Sequence, residues 1–186
     1  MKKLIEILEG TKILSSSGDL DKIIHGITDN SNDANKNFLF FAIKGNDFDG
    51  HEFIEDAISK GVNTIICTKL PDNLNKKVTF IMVKDIRESV YNISSNYYEN
   101  PDKKIKIIAV TGTNGKTSIV YFLYQFFKSI NIKVGMMSTI ENRINNIILD
   151  AKLTTPNPIE FLKILNQMVL KNCEYCFMEA SSHAIH

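Results

Sequence analysis

The stretch Ile105-Lys106-Ile107-Ile108-Ala109-Val110-Thr111-Gly112-Thr113-Asn114-Gly115-Lys116-Thr117-Ser118 decides the fold class of this 186-residue chain. Ile105 to Val110 is a β-branched run with few polar residues, which predicts a parallel strand buried on both faces. Two glycines and a lysine follow. Ile119, Val120, Leu123, Phe126, Phe127 and Ile130 then recur along one helical face. Strand, glycine turn and helix in that order make a phosphate cradle. Backbone N–H groups converge on the anion, the helix N-terminus adds its dipole, and the lysine adds a cation. Gly112, Thr113, Asn114, Gly115, Lys116, Thr117 and Ser118 are therefore the candidate ATP contacts. Lys116 is expected at the β- and γ-phosphates, and the Thr117 hydroxyl at Mg²⁺. The usual loop, G-x-x-x-x-G-K-[ST], has glycine where this chain has Val110, so the pattern here is the shorter G-x-x-G-K-T. The bland alternative is an ordinary strand-to-helix turn with an exposed lysine.

Working outward towards the C-terminus, Ile132 to Met137 predicts a strand, and Asn145-Asn146 the turn of a small hairpin. Asn157-Pro158-Ile159-Glu160 is a strong helix start, with Asn as N-cap and Pro in the first position. That helix is expected to run to about Lys171 and to lead into a strand from Cys173 to Ala180. The alternation of strands and helices is the pattern of a parallel α/β sheet. Parallel strands bring their C-terminal ends to one edge, so Glu179 is the candidate magnesium carboxylate beside the loop. A solvated surface carboxylate is the competing reading. The turns holding Thr154-Thr155 and Ser181-Ser182-His183 are expected to open onto the same edge, where hydroxyls can donate to an anionic substrate. A structural role for His183 is the simpler expectation. Cys173 and Cys176 form a C-x-x-C without a second one to complete a zinc site. On a strand, residues three apart point to opposite faces, so both are expected to be core cysteines.

Working outward towards the N-terminus, Glu99-Asn100-Pro101-Asp102-Lys103-Lys104 is the best domain boundary, polar and interrupted by proline. It separates a first domain, residues 1–100, from a second, residues 101–186. In the first, Leu4, Ile5 and Leu8 predict a helix stopped at Gly10. Ile23–Thr28, Phe38–Ile43, Asn63–Thr68 and Val78–Val83 read as strands. His51 to Lys60 reads as a helix closed by Gly61. Asp85-Ile86-Arg87-Glu88 reads as a capping box opening a helix to about Tyr98. The predicted class is α/β: a small mixed α/β domain, then the first part of a parallel-sheet ATP-binding domain.

Composition narrows the partners. The formal net charge is +1, which gives no argument for nucleic acid or a membrane surface. No apolar stretch approaches the roughly 20 residues of a membrane span. Glu6 interrupts the start where a secretory signal needs an apolar run. Three cysteines without such a signal do not make a disulfide framework. A reducing, cytoplasmic setting is expected.

Together these motifs resemble the Mur ligase family, which builds the peptidoglycan stem peptide. The loop from Val110 to Thr117 is similar to that family's variant phosphate loop, which also lacks the first glycine. Asp29-Asn30-Ser31, Phe38 to Gly45, and Asp49-Gly50-His51-Glu52-Phe53-Ile54 resemble the family's UDP-sugar-binding domain. Leu153-Thr154-Thr155-Pro156 and Met178-Glu179-Ala180-Ser181-Ser182-His183-Ala184 resemble the branch that adds the third residue, the tripeptide synthetases. The resemblance implies an ATP-dependent amide ligase. Its substrates would be UDP-N-acetylmuramoyl-L-alanyl-D-glutamate (the UDP-N-acetylmuramoyl-dipeptide) and a diamino acid, meso-diaminopimelate being the first expectation and L-lysine the alternative. It further implies that Asp29, Ser31, Asn46, Asp47 and Phe48 contact the UDP-sugar. Thr154, Thr155 and Ser181 would hold the muramoyl-peptide end, and Lys116 and Glu179 would be catalytic, with Thr117 and Glu179 at the metal. A monomer is the expected state.

Two positions depart from relatives. Asn30-Ser31-Asn32 stands where many have Asp-Ser-Arg, and Leu153 where some have Asn. Family members continue for several hundred residues, so this chain is expected to be an N-terminal fragment, inactive by itself. Folylpolyglutamate synthetase has a related loop, but the residue after its lysine is usually glycine rather than Thr117. A stand-alone UDP-sugar or nucleotide-binding module is the non-enzyme alternative.

Overall fold

The computed structural model describes residues 1–45, 48–71, 73–150 and 157–180. Thr154, Thr155, Ser181 and His183 lie outside the described residues, as do Asn46 and Asp47. The chain divides into two compact units, Met1–Tyr97 and Tyr98–His186.

In the first unit the order is β1 (Lys2–Lys3), α1 (Leu4–Ile7), β2 (Ile13–Ser17), β3 (Ile23–Ile24), β4 (Gly26–Thr28), β5 (Phe38–Phe41), α2 (Ile54–Ser59), β6 (Thr64–Cys67), β7 (Thr79–Val83) and α3 (Ile86–Tyr97). Strands β4, β5, β6 and β7 are parallel neighbours, and β2 closes the far edge antiparallel to β7. Every residue of β6 is buried, as expected for a central parallel strand. Phe40, Ile65 and Phe80 from three strands meet Ile54 and Ala57 of α2 in one core cluster.

Several local expectations need correction. The run Ile23–Thr28 is broken at His25 into two strands with different partners. The segment from Gly50 to Phe53 is a 3₁₀ turn, and the α-helix starts only at Ile54. In α1 the inward residues are Leu4 and Ile7, followed by Leu8, whereas Ile5 faces solvent. Strand β2 carries three serines and no buried residue, so hydrophobic periodicity cannot reveal it. Asp85 caps α3 as expected, accepting from the amides of Arg87 at 2.9 Å and Glu88 at 3.1 Å. The Glu88 carboxylate faces Lys12 at 3.6 Å.

In the second unit the order is β8 (Lys106–Val110), α4 (Lys116–Ser129), β9 (Val134–Met137), β10 (Glu141–Ile144), β11 (Ile147–Asp150), α5 (Pro158–Leu170) and β12 (Tyr175–Glu179). The sheet order is β11-β10-β9-β12-β8, with β12 parallel to both neighbours and β10–β11 an antiparallel hairpin. Asn145 turns that hairpin with φ of 52°, a conformation asparagine tolerates. Alternation along the strands sorts the core into two faces. Met136 and Phe177 pack with Val120 and Tyr124 of α4, while Met137, Cys176 and Met178 pack with Leu165 and Met168 of α5. The two helices therefore cover opposite faces of the sheet.

Strand β8 is not buried on both faces: it lies at the edge of the described sheet and Ile108 is 38% exposed. Helix α4 packs chiefly over β9 and β12, so its inward stripe is narrow. Ile119, Phe126 and Ile130 are exposed, and Tyr124, whose hydroxyl donates to the Asn145 carbonyl, takes the centre. The cysteine geometry also differs. Cys173 precedes the strand, so it joins Cys176 in the same core cluster instead of facing away from it. All three cysteines are buried thiols, and burial pushes the Cys67 thiol up to about 11.

Candidate nucleotide and sugar sites

Strand β8 delivers the chain to the loop at Val110, and α4 begins at Lys116. Gly115 makes the junction with φ of 79° and ψ of −2°. That left-handed conformation costs a residue with a Cβ about 1–2 kcal/mol, which explains the glycine. No side chain at this position can cap the first turn, so the helix amides stay open to an incoming anion. The Lys116 ammonium arches back over the loop. It donates to the Gly112 carbonyl at 2.7 Å and approaches that of Thr113 at 3.4 Å. Thr111, Gly112, Thr113, Asn114, Gly115 and Ser118 are exposed, and Thr117 is half-buried in the first turn of α4.

Glu179 is 1% exposed, so it is not a solvated strand-end carboxylate. It ends β12, and the parallel register sets it directly opposite Val110, the last residue before the loop. The Ala180 amide continues that ladder to the Val110 carbonyl at 3.0 Å. Among the described residues two donors hold the carboxylate: the Thr139 amide reaches Oε1 and the Thr139 hydroxyl reaches Oε2, each at 3.1 Å. Thr139 sits in the turn joining β9 to β10, which Ser138 knits together. The Ser138 hydroxyl donates to the Glu141 carbonyl at 2.8 Å and accepts from the Glu141 amide at 3.2 Å. The same turn and the first turn of α4 line one pocket of about 260 Å³, through Thr117, Ser118, Tyr121, Ser138, Ile140 and Glu141. Sequence reading missed Ser138 and Thr139. The signal was present, since a polar pair directly after the apolar end of β9 must sit at the carboxyl edge that Glu179 shares.

In the first unit Asp29, Ser31 and Phe48 come together. With Asn30, Phe40 and Phe53 they line a pocket of about 600 Å³ at the carboxyl edge of β4 and β5. Phe48 is 72% exposed and meets Phe53 edge-on, with ring centroids 6.5 Å apart. Exposed aromatic faces of this kind suit a planar base. The Asn30 side chain caps a 3₁₀ turn, accepting from the Asn32 amide at 3.0 Å. Ser31 is buried at the base of that turn, and its carbonyl accepts from the Lys60 ammonium at 2.9 Å. Burial is the main cause holding the Asp29 carboxyl above its ordinary range, with Asp33 adding to it and a backbone hydrogen bond opposing. His51 is structural. Its Nδ1 lies 2.6 Å from Asp49 Oδ1, and its Nε2 accepts from the Thr68 amide at 3.3 Å. It thereby ties the loop under the pocket to the end of β6.

The family model "Mur ligase family, catalytic domain" matches residues 23–111, and "Mur ligase middle domain" matches residues 110–186. The chain is 40% identical over 180 residues to the UDP-N-acetylmuramoyl-L-alanyl-D-glutamate--2,6-diaminopimelate ligase of Cytophaga hutchinsonii, covering 96% of this chain and 37% of that protein. It is 41% identical to the ligase of the same name from Clostridium tetani, covering 99% and 38%. It is 38% identical to the UDP-N-acetylmuramyl-tripeptide synthetase of Borreliella burgdorferi, covering 99% and 38%. The chain thus spans little more than a third of these curated relatives. Among solved structures, a UDP-N-acetylmuramoyl-L-alanyl-D-glutamate--2,6-diaminopimelate ligase superposes with a TM-score of 0.77 at 20% identity, over 99% of this chain and 37% of that one. A MurF ligase from Thermotoga maritima in complex with ADP superposes with a TM-score of 0.59 at 22% identity, over 98% and 34%. With both domain models matched in order and the fold shared, the chain belongs to the Mur ligase family.

Proposed function

We propose that this chain supplies the UDP-sugar-binding domain and the first part of the ATP-binding domain of a tripeptide synthetase of the MurE branch. The whole protein would act in the cytoplasm as a monomer. It would join a diamino acid to UDP-N-acetylmuramoyl-L-alanyl-D-glutamate at the expense of ATP. The observation that carries the reading is the register of Glu179 on Val110, which sets a buried carboxylate beside a glycine loop at a helix N-terminus. Among the described residues no helix is long and apolar enough to cross a membrane.

The chemistry asks for charge neutralisation during phosphoryl transfer. The γ-phosphoryl group of ATP passes to the D-glutamate carboxylate, giving an acyl phosphate and ADP. The amine of the diamino acid then attacks the acyl carbon, forming the amide and releasing phosphate. Lys116 exchanges its loop carbonyls for phosphate oxygens, and the open amides of α4 hold the same anion. Glu179 and the Thr117 hydroxyl are hard oxygen donors of the kind that suits Mg²⁺, an ion commonly bound by one or two carboxylates plus substrate phosphates, and these two residues would hold it. Bound there, the ion would screen the charge of the transferring group. Asp29, Ser31, Asn46, Asp47 and Phe48 would hold the UDP-sugar, and Thr154, Thr155 and Ser181 the muramoyl-peptide end.

The test uses the full-length protein, assayed by phosphate release with diaminopimelate and with L-lysine. Turnover is expected with diaminopimelate, and Lys116→Ala is expected to lower it by at least about 100-fold. Retained turnover in Lys116→Ala sinks the loop assignment. Turnover with L-lysine alone replaces diaminopimelate by lysine in the reading.

A further inference from the structure

We infer that Thr139 is a positioning residue for the metal carboxylate, a role that rests on the reading of Glu179 as the metal-binding group. A buried carboxylate needs its lone pairs satisfied, and it needs one geometry if it is to meet a cation at a fixed place. Thr139 meets both needs with a two-pronged grip. Its amide and its hydroxyl each take a different oxygen of Glu179, at 3.1 Å in both cases. Among the described residues these two donors fix the plane of the carboxylate, and each oxygen keeps a second lone pair for a ligand.

The grip is itself held in place. Thr139 lies at the tip of the β9–β10 turn, where Asn142 pairs with Met137 across the hairpin. Ser138 is buried and closes the turn through both its hydroxyl and its amide, the amide donating to the Glu141 carbonyl at 3.2 Å. The turn also forms a wall of the pocket that Thr117 and Ser118 line. One residue of this turn thus reaches the carboxylate, while its neighbours face the start of α4. Glu179 is set opposite Val110 by the ladder and is oriented by Thr139.

The experiment measures binding of Mn²⁺ with ADP to the 186-residue chain by electron paramagnetic resonance, with ADP affinity in EDTA as the metal-free control. Thr139→Val removes the hydroxyl and keeps the shape, whereas Thr139→Ser keeps both donors. Thr139→Val is expected to weaken Mn²⁺·ADP binding about tenfold, the usual effect of losing one hydrogen bond to a charged group. Thr139→Ser should stay near wild type, and metal-free ADP affinity should be unchanged in both. A merely structural role would move the metal-free affinity or the thermal midpoint as much as the metal-dependent term. Equal Mn²⁺·ADP affinity in Thr139→Val and wild type, zero included, overturns the inference, as does an equal loss in Thr139→Ser. Glu179→Gln separates the two levels. If Glu179→Gln weakens metal binding and Thr139→Val does not, only the role of Thr139 falls. If Glu179→Gln binds as wild type does, the metal reading falls and takes the role of Thr139 with it.

Discussion

Gly115 carries two loads. Its φ of 79° turns the chain from the loop into α4, and its bare backbone leaves the first helical amides uncapped. Gly115→Ala is therefore expected to destabilise the chain by about 1–2 kcal/mol, read as a lower midpoint in urea. Unchanged stability would mean that the loop can take another conformation freely. At the other site Asp49 is the residue to titrate. The His51 amide is the main cause holding its carboxyl below the ordinary range, with the His51 ring second. A depressed folded value means the contribution is complete above the ordinary aspartate value and is lost as pH falls through the folded one. The melting temperature should thus fall on acidification below about pH 4, and Asp49→Asn should flatten that limb. A variant with the same acid slope as wild type would place the titration elsewhere. Asp29 works in the opposite direction, because its raised carboxyl favours the folded state as the pH falls.

Elements with a chemical start signal were legible, and elements defined only by their place in a sheet were not. Asn157 and Pro158 announced α5, and the Asn157 carboxamide does accept from the Glu160 amide at 2.9 Å. Asn157→Ala should cost about 1 kcal/mol, measurable as a shift in the urea midpoint, while a shift near zero would show that burial of Leu162 and Leu165 alone sets the helix. Asp85 marked α3 in the same way. Strand β2 gave no such mark, because an edge strand needs hydrogen bonds from one side and little burial. The exposure of β8 was equally hidden. Ile105 to Val110 has the composition of a central strand, and composition says nothing about which strand lies next to it. At the candidate sites the loop could be read from glycine spacing and Glu179 from strand order. Thr139 needed the parallel register of β9 on β12, which brings residues 40 positions apart within hydrogen-bond distance.

At the scale of the whole chain, the first unit contains the means of its own closure. It has a complete five-stranded sheet with one predominantly parallel core, and its last helix is tied back to its beginning. The Asn96 carboxamide donates to the carbonyls of Ile7 at 3.1 Å and Glu9 at 2.8 Å, and the Tyr97 hydroxyl donates to that of His25 at 2.7 Å. These bonds join residues more than 70 positions apart, so they form only when the unit is folded. Beyond Tyr97 the backbone turns sharply, with positive φ at Glu99 and Asn100, and Pro101 is buried in a 3₁₀ turn that packs on α5. The chain therefore changes allegiance between Tyr97 and Pro101. Residues 1–97 expressed alone should unfold in a single cooperative urea transition. Ending the chain at residue 95 removes both tethers, and at about 1 kcal/mol for each of the three bonds it should lower stability by about 3 kcal/mol. A 1–97 chain with no cooperative transition would show that the first unit depends on the second for its fold. Equal stability of the 1–95 and 1–97 chains would show that packing of α3 on α1, and not the tethers, closes it.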